Sequence, residues 1–553
     1  MTEVVDAKGA DAPFSPDFDA IIVGAGFAGL YMLHSLRSIG LRVRVLEAAG
    51  GVGGVWWWNR YPGARCDVES VDYSYSFDPE LEQEWHWNEL FSTQPEILNY
   101  VEHVAGRYEL WPDIQLNSRV SAAEFNDGAA RWSVTLDSGE SMTCQYLIMA
   151  TGCLSIPKEP DQPGIGDFPG EVYHTARWPT EPVDFTGKRV GIIGVGSSGT
   201  QMIPIVASQA KELYVFQRTP NFSIPAPNGV VSAEYEQLVK SNYRERRAFT
   251  RTTPSGLNQE VNPQSALEVS DTERQRNYER FWERAGFGFI LAYKDLMWSE
   301  EANRTAVDFI SGKIREEVED PGVAELLIPT NYPYGAKRPS VDMGYYQSFN
   351  RENVTLVDVR TDAIQQFTKA GIETASREFP LDMIVFATGF DAMTGALSRI
   401  DIAGRQGLKL KEKWEAGPLT YLGLSTAGFP NMFLLAGPGS PSVLSNVMVS
   451  IEQHVEWVTE LLAFARGNDL QTIEAEESDE ASWVAHVNDL AAATLYPAAD
   501  SWYLGANVAG KPRVFMPYCG GLRAYRRTCD DVAAQGYPGF KFEPKHDPAR
   551  PGS

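Results

Sequence analysis

Apolar residues in this chain gather in short runs that end at glycines and pass into helical patterns, and the arrangement occurs twice. Asp19-Ala-Ile-Ile-Val23 is a continuous apolar run, followed by a helical pattern from Leu30 to Ile39 and a second run, Arg42-Val-Arg-Val-Leu46. Strand, helix and strand in that order predict a β-α-β unit. The same order returns at Lys188-Arg-Val-Gly-Ile-Ile193, a helix from Thr200 through Ala207, and Glu212-Leu-Tyr-Val-Phe216. Two nucleotide-binding halves are the economical reading.

Between them, the Pro- and Gly-rich stretch from Pro157 to Gly170 cannot sustain a helix or a central strand and reads as a linker. From about Gly229 to Ile328 the pattern changes to long charged helices. One is opened by Ser270-Asp-Thr-Glu273, which has capping-box spacing, and another carries Val307, Ile310, Ile314 and Val318 on one stripe. Strands return at Val354–Val357, Met383–Ala387 and Met432–Ala436. Ala150-Thr-Gly152 and Ala387-Thr-Gly389 each end an apolar strand and mark boundaries. The resulting division is a tail at 1–18, a first nucleotide domain at 19–155 and again at 388–542 with the substrate pocket, a second nucleotide domain at 156–228 and 329–387, a helical insertion at 229–328, and a tail at 543–553.

Composition narrows the function classes. At 553 residues, 43% hydrophobic and 22% charged, the chain is expected to be globular with two or three domains. A net charge of −25 disfavours nucleic acid and anionic lipid as partners. No apolar run approaches a membrane span, and residues before Asp19 carry no signal-peptide pattern. Cys66, Cys144, Cys153, Cys519 and Cys529 are scattered, with no C-x-x-C pair and no His at metal spacing, so no metal and a cytoplasmic location are expected.

Gly24-Ala-Gly26-Phe-Ala-Gly29 follows a strand and opens a helix, where backbone N–H groups can meet a pyrophosphate. Glu47 ends the next strand, where a carboxylate can accept from ribose hydroxyls. Gly194-Val-Gly196-Ser197-Ser198-Gly199 repeats the motif, but its following strand ends Phe216-Gln217-Arg218-Thr219. An arginine at that position suits a 2′-phosphate, which an acid would repel, so NADPH is preferred to NADH. The fold class is therefore α/β with two Rossmann-like dinucleotide-binding domains, one for a prosthetic FAD and one for NADPH, with hydride transfer between them. The residues alone stop at a flavin-dependent, NADPH-using reductase or oxygenase.

Phe168-Pro-Gly170-Glu-Val-Tyr-His174-Thr-Ala-Arg-Trp178-Pro179 resembles the F-x-G-x-x-x-H-x-x-x-W-P fingerprint of type I Baeyer–Villiger monooxygenases. Gly53-Gly54-Val-Trp56-Trp-Trp-Asn-Arg-Tyr61-Pro62-Gly63-Ala-Arg-Cys-Asp67 resembles that family's second fingerprint, and the resemblance runs from about Asp19 to Phe542, closest to the phenylacetone and steroid monooxygenase group. It implies FAD, NADPH and O2 converting aryl, cyclic or bulky ketones to esters or lactones through a C4a-peroxyflavin and a Criegee-type adduct, with sulfide oxidation as a side activity. By the same resemblance Arg338 stabilises the peroxyflavin and the adduct oxyanion, and Asp67 orients it. Lys337, Arg218 and Thr219 grip the 2′-phosphate, Trp502 contacts the nicotinamide ribose, and Gly54, Val55, Trp56, Asp67 and Tyr73 lie near FAD. Ser442, Val443, Leu444 and Met516 border an apolar ketone pocket, while Pro339-Ser340 departs from the aliphatic continuation of some relatives. His174 and Trp178 couple the domains, a purely structural His174 remaining open, and His454 is assigned to helix packing rather than a metal. A monomer is expected. The rivals are an N- or S-oxygenating flavin monooxygenase, whose fingerprint ends in Tyr where this chain has Trp178, a disulfide reductase, for which the paired cysteines are missing, and a non-enzymatic flavin or NADP redox sensor.

Overall fold

The computed structural model describes residues 16–160, 162–284 and 286–545. Two sheets organise it. The larger has eight strands, and at its centre run parallel segments in the order Met432–Leu434, Ser141–Met149, Phe18–Val23, Val43–Leu46 and Ile114–Gln115. Ser141–Met149 changes partners along its length. Its first residues pair antiparallel with Arg131–Leu136, and its last, Leu147–Met149, lie between Phe18–Val23 and Met432–Leu434. The helix Phe27–Ser38 lies against this sheet, and the 21-residue helix Val447–Gly467 packs on that helix. With helices covering the strands, Ile21, Ile22, Leu147 and Ile148 are fully buried, which is why the sequence reads as continuous rather than alternating apolar runs.

The second sheet is all parallel, in the order Val354–Asp358, Glu212–Gln217, Arg189–Ile193, Met383–Phe386 and Glu171–His174. Its last strand begins just past the stretch Pro157–Gly170 read as a linker, and Glu171–His174 pairs with Met383–Phe386 as an edge strand. Pro179 falls after the strand and Pro157 before it, so an edge position with one open side accommodates this Pro-flanked segment. A three-stranded antiparallel sheet, Ile364–Phe367, Gly371–Thr374 and Glu378–Pro380, extends from the same unit.

Residues 229–328 are largely helical, including Ala233–Ser241, Tyr243–Thr250, Asp271–Arg284 and Glu300–Glu317. Ser270 Oγ accepts from Glu273 N–H at 3.3 Å, as its spacing predicts. On Glu300–Glu317 the buried stripe is Ala302, Ala306, Phe309, Ile310 and Ile314, with Val307 only at its flank and Val318 just past the helix end. The tails are shorter than expected at their inner ends. Asp17 carboxylate accepts from Thr143 N–H at 2.8 Å, and the strand Phe540–Pro544 runs past residue 542. The remaining tail positions lie outside the described residues. No helix among the described residues is long and apolar enough to cross a membrane.

Candidate active site

At the first glycine motif the backbone is packed as tightly as it can be. A Cβ on Gly24 (φ +107°) would lie 2.5 Å from the Ala150 carbonyl oxygen, and one on Gly29 would lie 1.9 Å from that of Gly24. Ala150-Thr-Gly152 is thus the neighbouring strand end against which the glycine turn closes. Gly26 faces Gly54, whose own Cβ would fall 3.1 Å from Gly26 Cα, so two segments distant in sequence form one backbone cradle at the start of the helix. Helix N–H groups with no side chain in front of them are what a pyrophosphate requires. Glu47, 6% exposed, accepts from Ala25 N–H at 2.6 Å and Ala49 N–H at 2.7 Å, and burial pushes its carboxyl above the usual range. Beside the cradle, Trp56 Nε1 donates to Tyr73 Oη at 3.1 Å, the two rings meeting edge-on, and Val55 opens the short helix Val55–Trp58. These groups fit an FAD dinucleotide.

The second motif repeats the turn. A Cβ on Gly194 (φ +109°) would lie 2.5 Å from the Ala387 carbonyl oxygen, and one on Gly199 would lie 2.2 Å from that of Gly194. Gly196 is exposed, with nothing within 4 Å of its would-be Cβ, and Ser197 and Ser198 begin the helix Ser197–Gln209. At the end of the next strand Gln217 is buried, donating to the Leu326 carbonyl at 2.7 Å, while Arg218 is exposed and Thr219 half-buried. Burial, and then the charge of Arg218, hold the Lys337 ammonium below its usual value, with Nζ 4.5 Å from the centre of the Tyr332 ring. Neither cation has an ion-pair partner among the described residues, although the chain carries −25 overall. Two neighbouring cations, offset only in part by Asp500, are a pair whose charge suits a phosphate.

A third group is the Asp67–Arg338 pair. Arg338 Nε donates to Asp67 Oδ2 at 3.0 Å and Nη2 to Oδ1 and Oδ2 at 3.1 and 2.9 Å, while Nη1 donates to the Val443 carbonyl at 2.6 Å. The guanidinium carbon lies 3.8 Å from the centre of the Phe287 ring. Burial pulls the guanidinium down, but Asp67, with smaller contributions from Tyr503 and Cys66, more than offsets it, so Arg338 stays above its already high value and charged. Both partners remain about one-fifth exposed (21% and 22%), open enough to be reached by a ligand. Asn221 Nδ2 donates to the Arg338 carbonyl at 3.2 Å and to Ser340 Oγ at 2.9 Å, so Pro339-Ser340 leads into a buried strand.

The expected pocket residues gather in one apolar cluster. Val443, Met516, Met393 and Tyr503 are buried in it, and Leu444 and Trp502 pack at its edge. Met516 N–H donates to the Tyr503 carbonyl at 2.9 Å, and its own carbonyl accepts from Gly439 N–H at 2.7 Å, tying the loop of Ser442 to the segment of Trp502. Ser442 is fully buried at φ +38°, an unfavourable conformation for a residue with a side chain, and its Oγ donates to the Ala436 carbonyl at 3.2 Å. His174 is set apart from this cluster. Its Nδ1 accepts from Ala176 N–H at 3.1 Å, and Nε2 approaches the Lys158 carbonyl at 3.2 Å and Thr388 Oγ1 at 3.3 Å. Burial lowers its pKa, which favours the neutral ring. Trp178 packs between Tyr173 and Phe185. His454 is fully buried and accepts from Ala436 N–H at 3.0 Å, and no group of metal-ligating side chains occurs among the described residues.

A family model described as pyridine nucleotide-disulphide oxidoreductase matches residues 21–288. A Baeyer-Villiger monooxygenase of Pseudooceanicola batsensis is 41% identical over 525 residues, 94% of this chain and 95% of its own length. The phenazine N-monooxygenase of Lysobacter antibioticus is 42% identical over 527 residues, 95% and 96% of the two chains. The solved structure of an oxidized steroid monooxygenase bound to NADP superposes with a TM-score of 0.92 at 51% identity, covering 95% of this chain and 99% of that one. The chain belongs to the type I Baeyer–Villiger monooxygenases.

As a member of that family it is an NADPH-dependent flavin monooxygenase that uses FAD and O2 to oxidise ketones to esters or lactones, on the two-Rossmann α/β fold read from the sequence. The disulphide oxidoreductase model matches the first half of the chain, and all five cysteines of this Baeyer–Villiger enzyme are free thiols. Sequence reasoning missed four side chains at the site. Phe287, from the helical insertion, lies under Arg338. Tyr503 follows Trp502, and its phenol, pushed up to about 12 by burial, feels the charge of Arg338. Cys153 approaches Ser442 Oγ at 4.0 Å, and Gln201 contacts Tyr61 at 2.8 Å. The aromatic run Gly286-Phe-Gly-Phe289 was the one signal available for Phe287, whereas nothing local marks Gln201.

Proposed function

We propose that Arg338, held by Asp67, is the group that stabilises negative charge during ketone oxidation, and that the apolar cluster around Val443 and Met516 receives the ketone. Bound FAD, reduced by NADPH, supplies the activation of O2. The single observation that carries the reading is the bidentate Asp67–Arg338 pair, fixed on a third side by the Val443 carbonyl. These bonds leave one N–H of Nη1 uncommitted, and a preorganised, permanently charged donor in a partly dry site is the arrangement that stabilises charge developing on a carbonyl oxygen. Asp67 keeps the fork oriented and balances it while the site is empty. Gly24, Gly26, Gly29, Glu47, Gly54, Val55, Trp56, Asp67 and Tyr73 serve FAD. Gly194, Gly196, Ser197, Ser198, Arg218, Thr219, Lys337 and Trp502 serve NADPH. His174 reaches Thr388 in the Ala387-Thr-Gly389 turn, where the chain leaves the second sheet, which supports a coupling role for His174, with Trp178 packed beside it on Tyr173. The division into an FAD unit at 19–155 and 388–542, an NADP unit at 156–228 and 329–387, and an insertion at 229–328 belongs to the same reading.

The lining of Val443, Leu444, Met393, Met516 and Tyr503 supports bulky aryl or cyclic ketones, and sulfides of similar shape, because it offers apolar surface with few polar anchors. Free thiols support a cytoplasmic enzyme, and a monomer is the simplest form. The test is Arg338→Ala: flavin reduction by NADPH continues, while ester formation falls by about 100-fold or more, the effect of removing one preorganised donor. Retained ester formation overturns the assignment. The likeness to a phenazine N-monooxygenase favours a second reading, oxidation of a heteroaromatic nitrogen in the same pocket; an N-oxide from a phenazine, with no ester from any ketone, would select it.

A further inference from the structure

Asp67 is carried by the segment that begins at Tyr61, and that segment is docked on the helix following the second glycine motif. One side chain makes both polar ties. Gln201 Oε1 accepts from Tyr61 Oη at 2.8 Å, and Gln201 Nε2 donates to the Arg65 carbonyl at 3.0 Å. Between the tied residues Gly63 (φ +82°) approaches so closely that a Cβ would lie 2.3 Å from the Gln201 carbonyl oxygen. Gln201 stands about one turn beyond Ser197 and Ser198 on the same helix. Tyr61 is buried, and its phenol, pushed up to about 12 chiefly by burial, also feels Ser198.

We infer that Gln201 is a positioning residue that ties occupancy of the NADP glycine motif to the Asp67–Arg338 pair. The inference rests on the role given above to that pair. Phosphate bound at a helix N-terminus fixes that end of the helix. A planar amide with an acceptor toward Tyr61 and a donor toward Arg65 transmits the helix's position to both ends of the turn, and Asp67 follows two residues later. Close backbone packing at Gly63 makes the joint stiff, so a shift of the helix moves Asp67 rather than being absorbed. Other ties of the segment, Cys66 N–H to the Ser92 carbonyl at 3.0 Å and Gln94 N–H to the Ala64 carbonyl at 2.8 Å, run to the flavin side. Gln201 thereby connects the two sides.

The test uses full-length holoenzyme with NADPH and phenylacetone as the probe ketone. Gln201→Met keeps the length of the side chain and removes both bonds. Anaerobic flavin bleaching by NADPH should keep its concentration dependence, while ester formed per NADPH consumed falls about fivefold, with the balance released as hydrogen peroxide. Tyr61→Phe, which removes only one tie, should lower the ester yield in the same direction by a smaller factor, and it decides the matter if Gln201→Met fails to retain FAD. An undiminished ester yield, or a raised KM for NADPH with the yield intact, overturns the inference. Asp67→Ala is run in parallel. If that variant keeps its full ester yield, the reading of the Asp67–Arg338 pair fails, whereas loss of ester in Asp67→Ala but not in the Gln201 and Tyr61 variants overturns the role of Gln201 alone.

Discussion

The two glycine-rich units are near copies in their backbone and opposites in their surroundings. In both, the first glycine turns at a φ close to +108° against an alanine carbonyl 2.5 Å from its would-be Cβ, and the helix begins at a glycine with φ and ψ of −78° and −172° in one and −75° and −171° in the other. Yet Gly26 is roofed by Gly54, and Glu47 beside it is buried and bonded to two backbone amides, whereas Gly196 faces open space and Arg218 is exposed. The same turn therefore serves an enclosed site suited to a cofactor that stays and an open site suited to a coenzyme that exchanges.

The largest expected effect comes from breaking the shared turn on one side at a time. Gly24→Ala puts a Cβ against the Ala150 carbonyl in a strained conformation, and the purified protein should lose its flavin colour, FAD affinity dropping by at least about tenfold. Gly194→Ala should keep its FAD and remain reducible by dithionite while failing to be bleached by NADPH. Loss of FAD from both variants would mean that the units are not separable. Next in size, Arg218→Glu should raise the KM for NADPH about 10- to 100-fold, the weight of a charge-assisted contact turned repulsive, with little change for NADH. Equal changes for the two coenzymes would remove Arg218 from the phosphate site. The smallest effect is one of pH. Because burial and Arg218 lower the pKa of Lys337, its charge is held below that lowered value and is lost as pH rises through it, at a lower pH than for a free lysine. Selectivity for NADPH over NADH should therefore shrink by up to about tenfold on going alkaline. A flat ratio would argue that Lys337 does not touch the phosphate.

Much of this was legible in the chain because the relevant signals are local. Continuous apolar runs marked the parallel strands, Glu47 and Arg218 stood at corresponding strand ends with opposite charge, and the fingerprints named the family. The strand Glu171–His174 carries no strand signal in the chain because its residues are exposed or half-buried on a sheet edge, where hydrogen bonding to Met383–Phe386 replaces the apolar signal of a core strand. Phe287 under Arg338 and Gln201 under Tyr61 were invisible for a related reason: an aromatic in a helical insertion and a glutamine on a helix carry no pattern of their own.

The sequence by itself determined the two β-α-β units, the identity of the charged groups and the family, since periodicity, glycine spacing and side-chain chemistry are properties of short stretches. Only the tertiary structure decided that Gly54 roofs Gly26 and that the Val443 carbonyl closes the Asp67–Arg338 group, and it gave geometry to the Asp67–Arg338 and Lys337–Arg218 pairings that the chain carried only through its family resemblance. Those contacts join residues 28, 119, 271 and 105 positions apart. Such pairings are selected by how whole sheets and helices pack, and no local preference of the chain encodes them.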